Sequence, residues 1–481
     1  MNRALACSCL TLALSFWGLG CGDDAGAGGE GADDDPLRLQ FVSGSRLKIR
    51  VLQAGDAQRF NGVIDSELDS ACYPAEAEDG SLRCVPSGVA RILYADAACT
   101  HGVATYYDGG CVDEGPGKYA TRSLSSDDVC QPGTRTRVFE IGAELATPPT
   151  ATFDKDYEGN CYETGSVTTP MFELVAELAP EAMAPLEIVQ APRGEALTMP
   201  YYRGDDGFHL VGDYPHDIAH EIDCNPRQLG AVFACAPVGI SGSFDNFSDA
   251  ACTTAGVLGG LPSGCEPPNI AVATRIDDEC SYEDHVYERG EALPAFYVEE
   301  GGNCVEGTNP STIPYAVGAE LPDSDFAAVE LVVQGEGPVR LSVASVADAP
   351  ISRFGNFVTS DGVVCYPFAF ADGTVRCGPS TPDYVPAFGR FFSDSACSEI
   401  LVSVGQNVCG EAAPELALVA TGTPNSCVTW AVYAMGATHT GMVFVDDEVE
   451  GCIEIAPDGP VNALGERIPD EEFVEITIET L

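Results

Sequence analysis

Thiols are the residues of this chain whose number and spacing could do chemistry. Of its 21 cysteines, Cys7, Cys9 and Cys21 lie near the N-terminus, and the other 18 fall into three sets of six. The sets are Cys72, Cys84, Cys99, Cys111, Cys130 and Cys161; Cys224, Cys235, Cys252, Cys265, Cys280 and Cys304; and Cys365, Cys377, Cys397, Cys409, Cys427 and Cys452. First members are 152 and 141 residues apart and last members 143 and 148, which is the spacing of a triplicated unit. The pattern predicts oxidation to nine disulfides, three inside each set. Six cysteines allow 15 pairings, and we take sequence neighbours as the starting expectation: Cys72–Cys84, Cys99–Cys111 and Cys130–Cys161. After Cys21 no pair has the CxxC or CxxxC spacing of a zinc site.

Other reactive groups are sparse. Asp154, Asp156 and Glu158 imitate the first half of a calcium loop, but its twelfth position is Gly165, where a bidentate carboxylate belongs. His216 and His220 stand four apart, a spacing that puts two imidazoles on one helix face, yet Pro215 precedes them and the repeat frame predicts strand and turn. These five are the candidate metal ligands, calcium being the one cofactor to consider. There is no GxSxG, no P-loop and no GxGxxG between strand and helix. With every thiol after Cys21 assigned to a pair, no cysteine nucleophile is left over.

The formal charge is −51, from 74 acidic and 23 basic residues, and the three lysines are Lys48, Lys118 and Lys155. Such a balance disfavours nucleic acid and anionic membrane surfaces as partners. Arg3 followed by the apolar stretch Leu10 to Leu19 reads as a signal peptide over residues 1–20, too short to span a bilayer. Gly18-Leu19-Gly20-Cys21 resembles the lipobox of bacterial lipoproteins, which implies acylation of Cys21 and a lipid anchor at the outer membrane or cell surface. Residues 21–36, rich in Gly, Ala and Asp, read as a flexible acidic linker. An exported compartment tolerates the disulfides.

The elements that must position the thiols are strands. Arg46 to Val51, Val339 to Val343 and Val474 to Ile478 alternate polar and apolar residues, and 52 Gly and 33 Pro punctuate the chain. Met171 to Met183 comes nearest to a helix, and Pro180 interrupts it. The expectation is an all-β fold of three tandem repeats of about 145 residues, 37–190, 191–335 and 336–481. Continuous junctions between repeats suit a six-bladed β-propeller with two blades per repeat. The alternative is a row of three disulfide-stapled β-sandwich or barrel domains. It is favoured by four junction-like strands, Leu37 to Val42 and Phe473 to Ile478 being the outer two, where a closed ring of three has three slots.

Short motifs recur with the cysteines. Asp-Gly stands at Asp79-Gly80 and Asp372-Gly373 inside CYPAEAEDGSLRCVP and CYPFAFADGTVRCGP, where a hairpin needs positive φ. The third cysteine comes in YADAACT, FSDAACT and FSDSACS. With Ser45 to Lys48 (SRLK), Cys72 to Pro86 and Tyr94 to Thr100, the chain resembles cysteine-rich, repeat-containing lipoproteins of Gram-negative bacteria, a group with no assigned function. The resemblance implies an outer-envelope lipoprotein, and it brings no catalytic residues. The functional expectation is a non-catalytic binding, adhesion or structural role. The alternative is an extracellular glycosidase-like hydrolase on a propeller, drawing an acidic pair from the 74 carboxylates.

Overall fold

Alternation along the sequence becomes alternation between core and solvent. In the strand Leu47–Ala54, Leu47, Ile49 and Val51 are fully buried while Lys48 and Arg50 stay at the surface. The computed structural model describes residues 39–88, 90–106, 117–125, 134–156, 159–165, 169–259, 265, 267–278, 281–307, 313–379, 384–387, 391–403, 415–421, 429–447, 451–457 and 459–481. Among them there is no α-helix, only three single 3-10 turns at Pro180–Ala182, Asp323–Asp325 and Asp470–Glu472. Met171–Glu177 is a strand that ends before the first of these turns. No helix of the described residues is long and apolar enough to cross a membrane.

Each repeat divides into two halves. The first half is an antiparallel meander. In repeat 1 it is Leu47–Ala54, Ala57–Asp65, Ser70–Glu76 and Leu82–Pro86, and in repeat 3 Val339–Val346, Ala349–Thr359, Val364–Ala369 and Val375–Pro379. Repeat 2 breaks its second strand into His209–Val211 and His216–Asp217 between Leu197–Gly204 and Ile222–Leu229, and ends with Val232–Pro237.

The second half is a barrel. In repeat 1, Ala90–Tyr94, Gly102–Tyr106, Met171–Glu177, Thr134–Glu144 and Tyr119–Ser125 follow one another around it. Parallel pairing of Ala90 with Ala120 and Arg91 with Thr121 closes the circle. Repeat 2 closes the same way, Ser241–Phe247 running parallel to Ile270–Asp278. In repeat 3 Tyr384–Ala387 pairs in parallel with Leu416–Thr421, and Phe391–Phe392 pairs with Ile400–Ser403, a half-barrel among the described residues. The all-β expectation and its barrel alternative describe this molecule; the propeller does not. A blade is an open sheet, whereas pairing of the first strand with the last, as between Ala90–Tyr94 and Tyr119–Ser125, closes the sheet and removes its edges.

The meanders join into a ring. The strand that ends repeat 1, Leu186–Arg193, pairs with Leu197–Gly204 of repeat 2. Glu330–Gln334 pairs likewise with Val339–Val346 of repeat 3, and the C-terminal strand Glu475–Thr480 returns to Leu47–Ala54 of repeat 1. Equivalent backbone bonds mark the three crossings: the N–H groups of Cys84, Cys235 and Cys377 donate to the carbonyls of Ala184, Ala327 and Val474, each at 2.9 Å. Three junction strands therefore fill three equivalent slots. The fourth segment is displaced because its slot on repeat 1 is taken by the C-terminal strand; Phe41–Val42 pairs with His209–Val211 instead. Counting four junction strands as a sign of a linear row was thus misleading.

Packing follows the same three-way scheme. Leu47, Ile49 and Val63 pack with Phe208 and Leu210 of repeat 2, and Leu52, Ala54 and Ala57 with Leu341 and Phe357 of repeat 3. Met199, Tyr201 and Val211 of repeat 2 pack with Ala344 and Ile351 of repeat 3. Each meander has one apolar face, and each buries it against both of the others. The SRLK element serves this junction. Arg46 forms two hydrogen bonds to the buried carboxylate of Asp65, at 2.9 and 2.7 Å, and Asp206 of repeat 2 accepts from the backbone N–H groups of Arg46 and Leu47.

Candidate functional site: the mouth of the first barrel

Six disulfides lie wholly within the described residues, two per repeat and none between repeats. Cys72–Cys84, Cys224–Cys235 and Cys365–Cys377 staple the last hairpin of each meander, as expected from sequence. The third cysteine pairs with the sixth: Cys99–Cys161, Cys252–Cys304 and Cys397–Cys452. This corrects the neighbour pairings Cys99–Cys111 and Cys130–Cys161. The sixth cysteine sits on a two-stranded ribbon, Thr152–Lys155 with Cys161–Gly165 in repeat 1, which folds back beside the barrel's first strand through Phe153 and Tyr94. Cys265 is also disulfide-bonded. Cys111, Cys130, Cys280, Cys409 and Cys427 lie outside the described residues, as do residues 1–38 with Cys21.

The YADAACT elements hold the third cysteine ready. Asp96 accepts hydrogen bonds from the N–H groups of Ala98, Thr100 and His101, and Asp249 from those of Ala251, Thr253 and Thr254. Asp394 accepts from Ser398 and Glu399. The loop turns through a left-handed conformation at the cysteine itself, φ 50° at Cys99, Cys252 and Cys397. Desolvation opposes ionisation of Asp249, but donors from Thr254, Ala251 and Thr253 outweigh it and pull its pKa down to about 2. The N–H of Glu399 and the donors of Ser398 do the same for Asp394, also to about 2.

A carboxyl whose folded pKa is depressed adds stability above its unfolded value near 3.9, and that stability is lost as pH falls through the folded value. Asp394→Asn is therefore expected to lower the melting temperature at pH 7, with the gap to the parent narrowing between about pH 4 and pH 2. Thermal unfolding followed by circular dichroism across that range tests it; a gap of constant size would refute the capping role.

The structure does not gather the sequence-derived metal candidates. Asp154 faces Arg91, and Arg122 at 3.7 Å. Asp156 holds the ribbon's turn by accepting from the backbone N–H of Asn160 at 2.8 Å. Glu158 lies outside the described residues. His216 is in a strand and pairs with Asp223 at 2.9 Å, while His220 pairs with Asp217 at 3.0 Å and stacks on Phe326. Among the described residues no three His, Cys, Asp or Glu side chains converge on a metal-sized site.

What does converge is positive charge. The mouth of the first barrel is a cavity of about 470 Å³ with an apolar floor of Ile92, Phe139 and Leu174, next to Arg122, Arg137, Lys155, Tyr94, Thr100 and His101. Barrel strands alternate in and out, so Ala120 and Phe139 fill the interior and Arg122 and Arg137, two residues on, emerge at its end. Arg122 and Lys155 lie 4.9 and 5.2 Å from the Tyr94 ring centroid, within cation–π range. Arg137 is held by Glu177 through a pair of hydrogen bonds and by Glu78 at 3.4 Å. The guanidinium of Arg122 comes no closer to a carboxylate than 3.7 Å, and its Nη1 is buried without a hydrogen-bond partner among the described residues. Lys155 has no ion pair among the described residues.

The sequence reading did not single out these three cations. A signal was present, since all three lysines of the chain lie in the first repeat. A larger hollow of about 580 Å³ lies at the ring, lined by Phe41, Val42, Asp56, Gln334, Leu341 and Leu481 among others. It is formed by the displaced N-terminal segment and the C-terminus and brings together few groups capable of chemistry.

These features define the class: a triplicated all-β protein whose meanders form a closed ring and whose disulfide-pinned barrels follow them. The chain belongs to the family of unknown function DUF7481, whose model matches residues 21–444. No curated protein and no solved structure matches it.

Proposed function

We propose that this is an exported binding protein, tethered to the outer envelope by lipid on Cys21 and without catalytic function. The observation that carries the reading is the mouth of the first barrel, a preformed cavity with an apolar floor and two cations lacking close ionic partners, in a chain of formal charge −51. Its donors are arranged to hold a ligand and not to attack one. The Thr100 hydroxyl donates to Asp96 at 3.1 Å, and that carboxylate is occupied in capping the loop, where it also accepts from the N–H groups of Ala98, Thr100 and His101. The hydrolase alternative rests on a propeller funnel, whereas the sheets here close as barrels. Export is supported by disulfides that recur in every repeat, and lipidation by the lipobox-like Gly18-Leu19-Gly20-Cys21.

The anchor is tested by fractionation. The parent chain is expected in the detergent phase of a Triton X-114 extraction, and Cys21→Ser in the aqueous phase, because several acyl chains bury far more CH₂ than a single marginal anchor. Partition of the parent into the aqueous phase would overturn the anchored reading.

A further inference from the structure

Backbone equivalences between the barrels show that, among the described residues, the position of Arg122 carries a cation in the first barrel and an apolar residue in the other two. The N–H groups of Leu178, Leu321 and Ile468 donate to the carbonyls of Val138, Val286 and Val432, each at 2.9 Å, which places these three valines at one position of the fold. The residue before each valine is Arg137, His285 or Ala431, and its cross-strand partner is Arg122, Ala273 or Val419. Ala273 and Val419 are buried, at 0% and 1% exposure, and finish their barrels as apolar plugs. In the first barrel the same position carries a guanidinium with a buried nitrogen that no described group satisfies. Leaving a donor so placed is costly unless something accepts from it.

We propose that the mouth of the first barrel binds one small organic carboxylate per chain, its carboxylate between Arg122 and Lys155 and its apolar body on Ile92, Phe139 and Leu174. The inference rests on the binding-protein reading and names the class of ligand. A planar guanidinium suits two carboxylate oxygens, and Lys155 adds a point charge. The floor distinguishes the ligand from an inorganic anion, which would leave the apolar surface wet. The volume of about 470 Å³ is within the range of small-molecule pockets. Neutral sugars are disfavoured, since they would leave Lys155 without a counter-charge and Arg122 with only the Asp154 carboxylate at 3.7 Å. Asp154 and Glu177 flank the mouth: Glu177 engages Arg137, and Asp154 engages Arg91 through one oxygen while its other oxygen stands 3.7 Å from Arg122, too far for a hydrogen bond.

Isothermal titration of the disulfide-bonded full chain tests this at fixed ionic strength. Benzoate is expected to bind with a stoichiometry of one, benzamide about tenfold or more weaker, and sodium sulfate without measurable heat. Arg122→Gln should weaken benzoate about tenfold or more, whereas Arg289→Gln, which removes a positive charge in the second barrel, should leave it unchanged. Lys155→Gln, on an exposed side chain, should weaken benzoate even if the Arg122 variant fails to fold. Equal affinity for benzoate and benzamide, undiminished binding in Lys155→Gln, or no heat with benzoate would each overturn the ligand class. Those results leave the anchored reading standing, since that falls only by the partition experiment.

Discussion

Deleting Glu475–Leu481 should cost more stability than any single side-chain substitution in the chain. The C-terminal strand bridges repeats 3 and 1, its residues pairing with Val375 and Arg376 on one side and with Arg50 to Gln53 on the other. Ile476 is 3% exposed within the core shared by those repeats, and the N–H of Leu481 donates to the Ile49 carbonyl at 2.9 Å. Truncating a buried isoleucine to alanine costs about 2–5 kcal/mol by itself. Deleting the strand adds the loss of a sheet's worth of backbone partners on two repeats and opens the ring. The expected result is a large fall in the urea midpoint, seen by far-ultraviolet circular dichroism, with Ile476→Ala giving a smaller fall. Removing residues up to Val42, whose described part adds the pairing of Phe41 and Val42, the contacts of Gln40 with Val211 and Ser352, and the packing of Phe41 on Phe60, should have a smaller effect. A truncated chain that unfolds at the parental midpoint would show that the meanders do not depend on ring closure.

The second large effect is expected from the disulfide between the third and sixth cysteines. Cys252–Cys304 closes 52 residues and Cys224–Cys235 only 11. Chain entropy assigns about 4 kcal/mol to the longer loop and about 3 kcal/mol to the shorter. Replacing Cys252 and Cys304 together by alanine should therefore destabilise the second barrel by about 4 kcal/mol and free the ribbon Tyr297–Glu300 with Asn303–Glu306. Hydrogen exchange resolved by peptide should show protection lost first in that ribbon. Non-reducing peptide mapping of the parent chain should recover Cys99–Cys161, Cys252–Cys304 and Cys397–Cys452. Recovery of Cys99–Cys111 would contradict the fold, because the ribbon would then have no covalent tie to the Asp96 loop.

The Asp-capped loops explain why these bridges form where they do. In each repeat the carboxylate gathers the N–H groups that follow it, and the third cysteine takes a positive φ so that its sulfur reaches the ribbon. The recurring Asp and the recurring Cys are parts of one device. Its role is structural in all three repeats; in the first it stands beside the proposed binding site, since Tyr94 precedes the Asp96 loop and lines the mouth together with Arg122 and Lys155.

Local features could be read from the sequence because their causes are local. The spacing of 18 cysteines established three repeats, and alternation at Leu47, Ile49 and Val51 established strands with one buried face. Asp79-Gly80 and Asp372-Gly373 do turn hairpins, with Gly80 and Gly373 at φ 80° and 83°. Cys72 and Cys84 are close because a short hairpin leaves them no other choice. Only the tertiary structure decided the rest. Period-two alternation says which side of a strand is buried and nothing about which strand lies beside it. The pairing of Ala90 with Ala120 makes barrels, as the alternative had it, where the propeller expectation had blades, and the pairing of Leu52 with Ile478 closes the meanders into a ring, where that alternative had a row. Both depend on contacts between strands distant in sequence, where many partners have the same pattern. The cation site has the same origin: Tyr94, Arg122, Arg137 and Lys155 come from four strands, and the motifs that include Tyr94 and flank Lys155 do not say that the two meet Arg122 and Arg137. Closure of the barrel brought them to one rim.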